Sequence, residues 1–481
     1  MTLTDIFQNK TVSLLGAGIS NMPLAAFLKE QGASLTVRDM KSAEELGERA
    51  AELEKLGARL ITGEHYMENF SEDYIFRSPG IRPDLPALCK AAENGCTLTS
   101  EMEMFLSHCP CSVFAVTGSD GKSTTTTITH LLLTAGASEG TKTFLGGNIG
   151  EPLFHRLPLM CEKDLVAVEL SSFQLMTIDA PVTAAAITNV TPNHLNWHTD
   201  MAEYIEAKKR ILRKAGKAVL NYGNDVTRAI GEELIRENSI PVTFFSREPI
   251  ACDILRPTDS LIYAENGSIV TEFAGEGKKT LLALQEIKLP GMHNAENYMT
   301  AIALTHGYCT EDRIRQVARE FGGVRHRLEH VASIGGVSYI NSSIDSSPTR
   351  TAAALSALAG RSIVLICGGY DKKIPFAPLA ETVLTNPGVH TLVLTGATAC
   401  SIREAVENHP LYEKRCGEGF VLVTEEVFDE AVFAAAGAAH EGDTVLLSPA
   451  CASFDAFPNF EVRGEHYKTL VHSDRMTAMA K

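Results

Sequence analysis

The sequence of 481 residues lacks any apolar stretch of the roughly 18 residues that a membrane-spanning helix needs. Its first residues, MTLTD, also lack the basic and then apolar layout of a secretory signal. Basic residues are few, 43 Lys and Arg against 59 Asp and Glu, which gives a formal net charge of -16. A field of that sign repels nucleic acid and anionic membranes. We therefore expect a soluble cytoplasmic protein that binds neither nucleic acid nor membrane, and we expect a monomer.

Paired CxxC spacing is absent from the eleven cysteines. Cys109 and Cys111 are the closest pair, and their CxC spacing would allow a metal hook. No second Cys or His pair at zinc spacing follows them. Reduced and buried thiols in a reducing compartment are the better interpretation.

Short apolar runs recur along the chain, each followed by a polar or Gly-rich turn and then by a helical pattern. These runs occupy residues 12–15, 113–116, 165–168, 184–187, 363–366, 392–394 and 445–447. Runs of about four residues, many of them β-branched, suit strands that are buried on both faces of a parallel sheet. The predicted fold class is therefore α/β, with ligands expected at the carboxyl ends of the strands.

The length exceeds that of one ordinary core and predicts several domains. We place a Rossmann-like N-terminal domain at residues 1–108 and a P-loop-type central ATPase domain at residues 109–323. A Rossmann-like C-terminal domain follows at residues 324–481. Alternating strand patterns within residues 251–279 predict an added β hairpin in the central domain.

The most informative segment, residues 117–125, reads TGSDGKSTT and follows the apolar run at 113–116. A strand, a Gly-rich turn and a helix that begins at Lys-Ser present backbone N–H groups and a helix N-terminus to phosphate. Lys122 would reach the terminal phosphates of ATP, and the Ser123 hydroxyl would hold Mg²⁺. Val116 stands where the full Walker pattern has Gly, so the motif is a shortened variant. A turn that only starts a helix would not explain Lys followed by Ser and four Thr.

A second Gly-rich loop, GAGISN at residues 16–21, follows the first apolar run. Asp39 ends the next strand about twenty residues later, which resembles a dinucleotide fingerprint. Asn21 replaces the third Gly of that fingerprint. A nucleotide or phosphate ligand and a purely structural turn therefore both remain open here.

Three single residues in the central domain could have either a functional or a purely structural role. Glu169 ends an apolar strand, where a carboxylate either contacts a metal or caps the following turn. His194 also lies just past a strand, but a lone His is more often structural than catalytic. Lys208 lies on a predicted helix and would on general grounds be one more solvated lysine.

Six segments taken together resemble the Mur ligases and, in the phosphate loop, their folylpolyglutamate synthase relatives. They are TGSDGKSTT at 117–125, GGNIG at 146–150, VELSSFQL at 168–175, LPGMHNAEN at 289–297, RHRLE at 325–329 and LSPACASFD at 447–455. They lie in order over essentially the whole chain. The resemblance implies a ligase of cytoplasmic peptidoglycan precursor synthesis, which uses ATP to add D-glutamate to UDP-N-acetylmuramoyl-L-alanine through an acyl phosphate.

The resemblance also implies a role for individual residues. The ATP-binding residues would be Gly118, Ser119, Asp120, Gly121, Lys122, Ser123, Thr124, His293, Asn294, Asn297 and Arg327. The sugar nucleotide would be bound by Gly18, Ser20, Asn21, Asp39, Ser78, Pro79 and Gly80, and D-glutamate by Ser346, Lys372, Ser453 and Phe460. Two Mg²⁺ ions would be held by Ser123, Glu169, His194 and Lys208. The catalytic residues would be Lys122, Asn148, His194 and Lys208, with Lys208 carrying a carbamate and Lys209 as the alternative carrier.

The chain departs from the family pattern in the C-terminal domain. Residues 341–346 read NSSIDS, which places Ser342 and Ile344 where a carboxylate and a lysine are usual. Asp345 and Arg350 are the candidate substitutes from shifted positions. Neutral residues also replace acidic ones at Tyr370, Asn193 and Asn196.

Three functions are alternatives to a D-glutamate-adding ligase. A sister Mur ligase or a folylpolyglutamate synthase-like ligase would add another amino acid. A P-loop ATPase without ligation is disfavoured by the second Gly loop, the Glu169 and Lys208 pair and the complete third domain. A dehydrogenase is disfavoured because Asn21 breaks the dinucleotide fingerprint and because the phosphate loop would be unexplained.

Overall fold

The computed structural model describes residues 3–18, 21–195, 197–289, 291–371 and 374–479. Ser20, Asn196 and Lys372, which entered the sequence predictions, lie outside these ranges. The chain divides into two compact units, Met1–Phe321 and Gly322–Lys481. In the described ranges, no helix is both long enough and apolar enough to span a bilayer.

The first sheet lies in the first unit and is parallel, with the strand order β3-β2-β1-β4-β5. Its strands are β1 (Thr11–Leu15), β2 (Ser34–Asp39), β3 (Arg59–Thr62), β4 (Tyr74–Arg77) and β5 (Thr97–Thr99). The helices around it are α1 (Leu3–Phe7), α2 (Asn21–Glu30), α3 (Ala43–Leu46), α4 (Glu48–Lys55), α5 (Pro86–Glu93) and α6 (Glu101–His108). Leu14 and Leu15 enter different apolar clusters, as the alternation of side chains along a strand requires. This arrangement agrees with the predicted Rossmann-like domain.

The second sheet, also in the first unit, has the order β14-β13-β12-β11-β10-β9-β6-β8-β7. Its strands are β6 (Ser112–Thr117), β7 (Thr143–Gly147), β8 (Leu165–Glu169), β9 (Ala184–Ile187), β10 (Ala218–Asn221), β11 (Val242–Ser246), β12 (Ser260–Glu265), β13 (Ser268–Glu272) and β14 (Lys279–Ala283). Strands β6 to β12 run parallel to one another. The predicted hairpin is present as antiparallel β12 and β13, and antiparallel β14 extends it.

The helices of this second region include a long one directly after the phosphate loop. They are α7 (Lys122–Gly136), α8 (Ser172–Leu175), α9 (Met201–Lys209), α10 (Asp225–Arg236), α11 (Met292–Leu304) and α12 (Glu311–Glu320), with short 3₁₀ turns at Phe154–Leu159, Arg210–Leu212 and Leu284–Glu286. Every residue of β8 is buried, because helices cover both faces of a parallel sheet.

The second unit contains the third sheet, with the order β15-β16-β20-β17-β18-β19. Its strands are β15 (Glu329–Ile334), β16 (Val337–Asn341), β17 (Ile363–Gly368), β18 (Val389–Thr395), β19 (Val421–Glu425) and β20 (Thr444–Leu447). Its helices are α13 (Pro348–Ala357), α14 (Ala377–Thr385), α15 (Ala399–Glu407), α16 (Tyr412–Gly417), α17 (Phe428–Ala438), α18 (Phe460–Val471) and α19 (Asp474–Met479). Only β15 runs antiparallel to its neighbour among these described strands.

The predicted α/β class and its three sheet-centred regions are confirmed, and each predicted apolar run is a strand. The domain boundaries after residues 108 and 323 stay predictions. The carboxyl ends of the central strands meet at one edge, because Val116 of β6 and Gly147 of β7 both pair with Glu169 of β8. That edge positions the candidate site.

The prediction of buried thiols is wrong for most of the cysteines. All eleven are free, and only Cys96, Cys367 and Cys451 are buried. Cys400 and Cys416 are exposed because they lie on the solvent side of α15 and α16. In the part of the chain that the structure describes, no group of three or more His, Cys, Asp or Glu side chains could hold a metal ion.

Candidate functional site

Two glycines determine the course of the phosphate loop between β6 and α7. Gly118 and Gly121 have φ angles of 149° and 78°, which L side chains rarely adopt. A Cβ atom on Gly118 would overlap Thr188, and one on Gly121 would lie 2.5 Å from Oδ1 of Asn297. The loop backbone therefore packs directly against the end of β9 and against α11.

Hydrogen bonds hold the middle of this loop. The backbone N–H groups of Ser119 and Asp120 donate to the carbonyl oxygen and to Oδ1 of Asn189, at 2.9 and 3.0 Å. Nζ of Lys122 donates to the carbonyl oxygen of Ser119 at 2.9 Å. The first turn of α7 consists of Lys122, Ser123 and Thr124. The loop and the N-terminus of a long helix thus form a concave surface that favours anions.

Glu169 lies at the end of β8, and its carboxylate is almost completely buried. Its Oε1 accepts a hydrogen bond from Nδ2 of Asn148 at 2.7 Å, and the N–H of Asn148 donates to the Glu169 carbonyl oxygen at 2.8 Å. Among the described residues, no group donates a hydrogen bond to the buried Oε2 atom. A buried carboxylate oxygen without a donor is costly, so this atom is suited to a cation.

Lys208 and Lys209 have opposite environments at the end of α9. Nζ of Lys208 is buried, donates to the carbonyl oxygen of Gly118 at 2.6 Å and lies 4.5 Å from the centre of the Tyr204 ring. Burial and the nearby Lys122 lower the pKa of Lys208 well below its usual value. Lys209 instead pairs at the surface with Glu233 at 3.0 Å.

His194 lies in the loop between β9 and α9, with a φ angle of 56°. Its ring packs edge-on against Phe173, with the ring centres 4.9 Å apart. Partial loss of hydration, together with the charges of Lys122 and Lys208, lowers the pKa of His194. A neutral imidazole can act as a metal ligand, whereas an imidazolium cannot.

A cavity of about 680 Å³ opens beside the phosphate loop. It is lined by Asp120, Gly121, Thr188, Asn189, Thr191, Asn221, Gly223, Asn224, Phe245, Ser246, Arg247, Glu248, His293, Glu296, Asn297 and Thr300. The cavity is within the size range of small-molecule sites, and its lining combines an aromatic ring with many amides and hydroxyls.

The predicted nucleotide residues of α11 form a chain of hydrogen bonds at this cavity. Nδ2 of Asn297 donates to Oδ1 of Asn294 at 3.1 Å, and Nδ2 of Asn294 lies 3.1 Å from Nε2 of His293. Oδ1 of Asn297 also accepts from the Thr125 hydroxyl at 3.1 Å. The N-terminal half of α11 is thereby connected to the start of α7.

Sequence reasoning did not single out several cavity residues. Asn221 ends β10 and donates to the carbonyl oxygen of Thr188 at 3.1 Å, while Asn224 donates to that of Val190 at 3.1 Å. Arg247, after β11, pairs with Glu296 at 2.8 Å. Each ends or closely follows a strand, so the rule that selected Glu169 could have found them.

The predicted sugar-nucleotide residues gather at the carboxyl ends of β1, β2 and β4. Nδ2 of Asn21 donates to the carbonyl oxygen of Gly16 at 2.7 Å and lies 3.3 Å from Oγ of Ser78. Asp39 accepts a hydrogen bond from the N–H of Ala17 at 2.7 Å, so this carboxylate stabilises the backbone of the loop. Open space surrounds Gly18 and Gly80, and the Pro79 carbonyl accepts from Arg77 at 3.0 Å.

The second unit holds the remaining predicted residues. Ser453 is buried after β20, and Phe460 begins α18, where its carbonyl accepts from the Ser343 hydroxyl at 2.8 Å. Ser346 lies in the turn before α13, and Arg327 lies in the turn before β15.

The suggested substitutes in this unit differ in accessibility. The Asp345 carboxylate is buried, accepts from the Ser448 hydroxyl at 2.9 Å, and has a pKa raised by burial. Arg350 is exposed and donates to the carbonyl oxygen of Ile344 at 3.2 Å. Asp345 therefore faces the interior of the unit, and only Arg350 is accessible.

Comparisons with known proteins cover the three sheet-centred regions. Residues 10–100 match the N-terminal domain of MurD-like Mur ligases, residues 116–305 the Mur ligase middle domain, and residues 326–451 the glutamate ligase domain of Mur ligases.

Full-length relatives are similar over nearly the whole chain. A UDP-N-acetylmuramoylalanine--D-glutamate ligase from Clostridium novyi is 45% identical over 473 residues, 98% of both chains. One of the same name from Ruminiclostridium cellulolyticum is 42% identical over 470 residues, 97% of both chains. Among solved structures, the UDP-N-acetylmuramate-alanine ligase of Thermotoga maritima is 18% identical, with a TM-score of 0.51 over 95% of this chain and 98% of that one. This last likeness concerns the fold alone.

Proposed function

Because this chain belongs to the Mur ligase family, an ATP-dependent family, we propose that it joins D-glutamate to UDP-N-acetylmuramoyl-L-alanine with cleavage of ATP to ADP and phosphate. The observation that carries the proposal is the 45% identity to a D-glutamate-adding ligase over 98% of the chain. The protein is a cytoplasmic, monomeric enzyme of peptidoglycan precursor synthesis in this proposal, without a nucleic-acid or membrane partner.

The reaction needs activation because a carboxylate does not condense with an amine in water. A carboxylate oxygen of the alanyl group attacks the γ-phosphorus of ATP, the bond to the β-phosphate oxygen breaks, and ADP leaves. The amino group of D-glutamate then attacks the carbonyl carbon of the acyl phosphate. The C–O bond breaks, inorganic phosphate leaves, and the nitrogen loses a proton. The first step brings anions together, so the site has to supply positive charge.

The residues at the phosphate loop fit Mg²⁺. The unpartnered carboxylate oxygen of Glu169 and the hydroxyl of Ser123, in the first turn of α7, are hard oxygen ligands. Bound Mg²⁺ neutralises charge on the phosphate oxygens during transfer. Asn148 orients the Glu169 carboxylate through their 2.7 Å hydrogen bond. Lys122 adds a cation at the same loop.

A second ion would need an anion near Lys208, and carbamylation supplies one. The lowered pKa of Lys208 favours the neutral amine, whose lone pair attacks carbon dioxide; loss of a proton gives the carbamate. A protonated lysine has no lone pair for a metal and would repel it. His194, whose pKa is also lowered, would be a neutral ligand for this second ion.

The remaining roles follow the geometry of each unit. The adenosine part of ATP would occupy the cavity of about 680 Å³, with its phosphates at residues 118–124. Contacts would come from His293, Asn294 and Asn297. The nucleotide role of Arg327, which belongs to the second unit, stays a prediction. The sugar nucleotide would contact Gly18, Asn21, Asp39, Ser78, Pro79 and Gly80, and D-glutamate would contact Ser346, Ser453 and Phe460. Because the Asp345 carboxylate faces the interior, Arg350 is the better candidate for a compensating contact with D-glutamate.

An amino-acid panel tests the proposal. The protein is mixed with ATP, Mg²⁺ and UDP-N-acetylmuramoyl-L-alanine, and D-glutamate, L-glutamate, L-lysine or meso-diaminopimelate is added in turn while ADP release is followed. We expect release that depends on both the sugar nucleotide and D-glutamate. Release that is indifferent to D-glutamate would contradict the proposal.

A further inference from the structure

A group of side chains outside the reacting centre connects the turn after β4 to the helix that carries Lys208. Arg82 lies just past that turn and donates from Nη2 and Nη1 to the two carboxylate oxygens of Glu203, at 2.7 and 3.2 Å. Glu203 is in the first turn of α9, where Asp200 caps the helix. Lys208 is in the last turn of the same helix. A displacement of Glu203 would therefore move the whole short helix, including Lys208.

Glu203 also fixes the loop that precedes α9. Its Oε2 accepts from the N–H of Thr199 at 2.9 Å and lies 3.0 Å from Nδ1 of His198. The His198 side chain is buried, and its Nε2 lies 2.9 Å from the hydroxyl of Ser172. Nδ1–H donates to the carboxylate in this arrangement, and Nε2 accepts from the hydroxyl. Ser172 begins α8, three residues after Glu169, so the network reaches three of the four segments of the proposed metal site, those that carry Glu169, His194 and Lys208.

Trp197 makes the contact with the turn itself. Its Nε1–H donates to the carbonyl oxygen of Gly80 at 3.0 Å, and its ring lies 4.5 Å from that of Phe173. The Arg82 guanidinium lies 5.0 Å from the Trp197 ring centre and donates to the Trp197 carbonyl oxygen at 2.7 Å. Arg82 thus binds both the loop that contains Trp197 and helix α9, which carries Glu203.

We propose that Arg82 is a positioning residue that transmits binding of the sugar nucleotide at residues 78–81 to helix α9 and so to Lys208. The inference rests on the proposed function, because it takes that turn as part of the sugar-nucleotide site. Two features favour this role over simple surface pairing. The Arg82 and Glu203 side chains are only 20% and 21% exposed, and the paired geometry uses two nitrogens on two oxygens. Such forked pairs are more directional than the exposed pairs that contribute little.

Kinetic constants distinguish a positioning role of Arg82 from a purely structural one. Arg82→Ala should lower kcat about tenfold and raise KM for the sugar nucleotide, since small misplacements of reacting groups are costly. KM for ATP should change less than KM for the sugar nucleotide, because Arg82, Trp197 and Glu203 do not line the nucleotide cavity and only Lys208 touches the phosphate loop. Arg82→Lys keeps the charge but loses the fork, and it should recover part of kcat. Arg236→Ala, which removes an exposed pair with Glu232 on α10, is the matched control and should leave all constants unchanged.

Two results for the Arg82→Ala variant would overturn the proposal. Unchanged kcat and sugar-nucleotide KM in Arg82→Ala would overturn the proposal. A uniform loss that also raises KM for ATP and lowers the melting temperature would overturn it too, because that is the pattern of a structural role. An inactive wild-type protein would contradict the proposed function instead.

A second readout needs no catalysis, because Trp197 is the single tryptophan of the chain. Titration with UDP-N-acetylmuramoyl-L-alanine, without ATP or D-glutamate, should change its fluorescence in a saturable way. Arg82→Ala should reduce the amplitude at saturation. A fluorescence that stays constant in the wild type while calorimetry reports binding would overturn the proposal.

Discussion

Nζ of Lys208 lies 2.6 Å from the backbone carbonyl oxygen of Gly118, the first glycine of the phosphate loop. The ring of Tyr204, one helical turn away, covers the same nitrogen at 4.5 Å. The end of α9 and the phosphate loop are therefore in direct contact. Removal from water favours the neutral form of this lysine, whereas Lys209 pairs with Glu233 at the surface. Of the two adjacent lysines, only Lys208 is therefore suited to react as a neutral amine.

The first prediction compares these two lysines. Lys208→Ala should lower kcat by at least about 100-fold, because removal of a preorganised charged group from a reacting centre has effects of that size. Lys209→Ala should stay within about twofold, since only surface pairs are lost. Steady-state rates with and without bicarbonate are the measurement. Near wild-type activity in Lys208→Ala would exclude the carbamate role.

The second prediction concerns Glu169. Glu169→Gln keeps the size of the side chain but removes the charge, so the rate should require much higher Mg²⁺ concentrations, by about tenfold or more. Glu162→Gln, at an exposed position seven residues earlier, is the control. The measurement is the Mg²⁺ dependence of ADP release at saturating ATP. Identical curves for the two variants would show that Glu169 is not a ligand.

The third prediction uses two glycines with nearly the same backbone conformation. Gly121 has φ 78° and faces Asn297, whereas Gly267 has φ 75° and open space around it. Both alanine variants should lose about 1 kcal/mol of unfolding free energy through backbone strain, and Gly121→Ala should lose more because its Cβ would lie 2.5 Å from Oδ1 of Asn297. Only Gly121→Ala should also raise KM for ATP. Chemical denaturation and ATP titration test this, and equal KM values for both variants would be inconsistent with it.

The fourth prediction concerns acid stability. Arg82, with further donors from Thr199 and His198, lowers the pKa of Glu203 to about 2. A lowered carboxylate pKa stabilises the fold above the unfolded value of 4.5, and this contribution is lost as the pH falls from 4.5 towards 2. Glu203→Gln should therefore cost on the order of 1–3 kcal/mol at pH 7 and roughly half of that or less at pH 3. Urea unfolding at both values is the test; a pH-independent difference would refute the linkage.

The sequence predicted much of the scaffold because buried parallel strands leave a strong local signal. The apolar runs ending at Val116, Val168 and Ile187 are strands β6, β8 and β9, and Glu169 stands at the end of β8 as expected. Val116, where the full Walker pattern has Gly, is a fully buried strand residue. These features are determined by residues that lie close together in the sequence.

The rest depends on contacts between distant segments. Two adjacent lysines look alike in a sequence, and only the packing of α9 directs Lys208 towards Gly118. The hydrogen bond between Asn148 and Glu169 requires that β7 lie next to β8. Asp345 was a candidate for a ligand contact, but its strand-to-helix turn directs the carboxylate to buried Ser448. None of these orientations can be obtained from spacing alone.

The most direct test of the account follows an oxygen atom. UDP-N-acetylmuramoyl-L-alanine with an ¹⁸O-labelled alanyl carboxylate is incubated with the protein, ATP, Mg²⁺ and D-glutamate, and the released inorganic phosphate is analysed by mass spectrometry. An acyl phosphate transfers one carboxylate oxygen to the phosphate, so we expect ¹⁸O in the phosphate in proportion to the D-glutamate-containing product. Product formation with unlabelled phosphate would contradict carboxylate activation at this site.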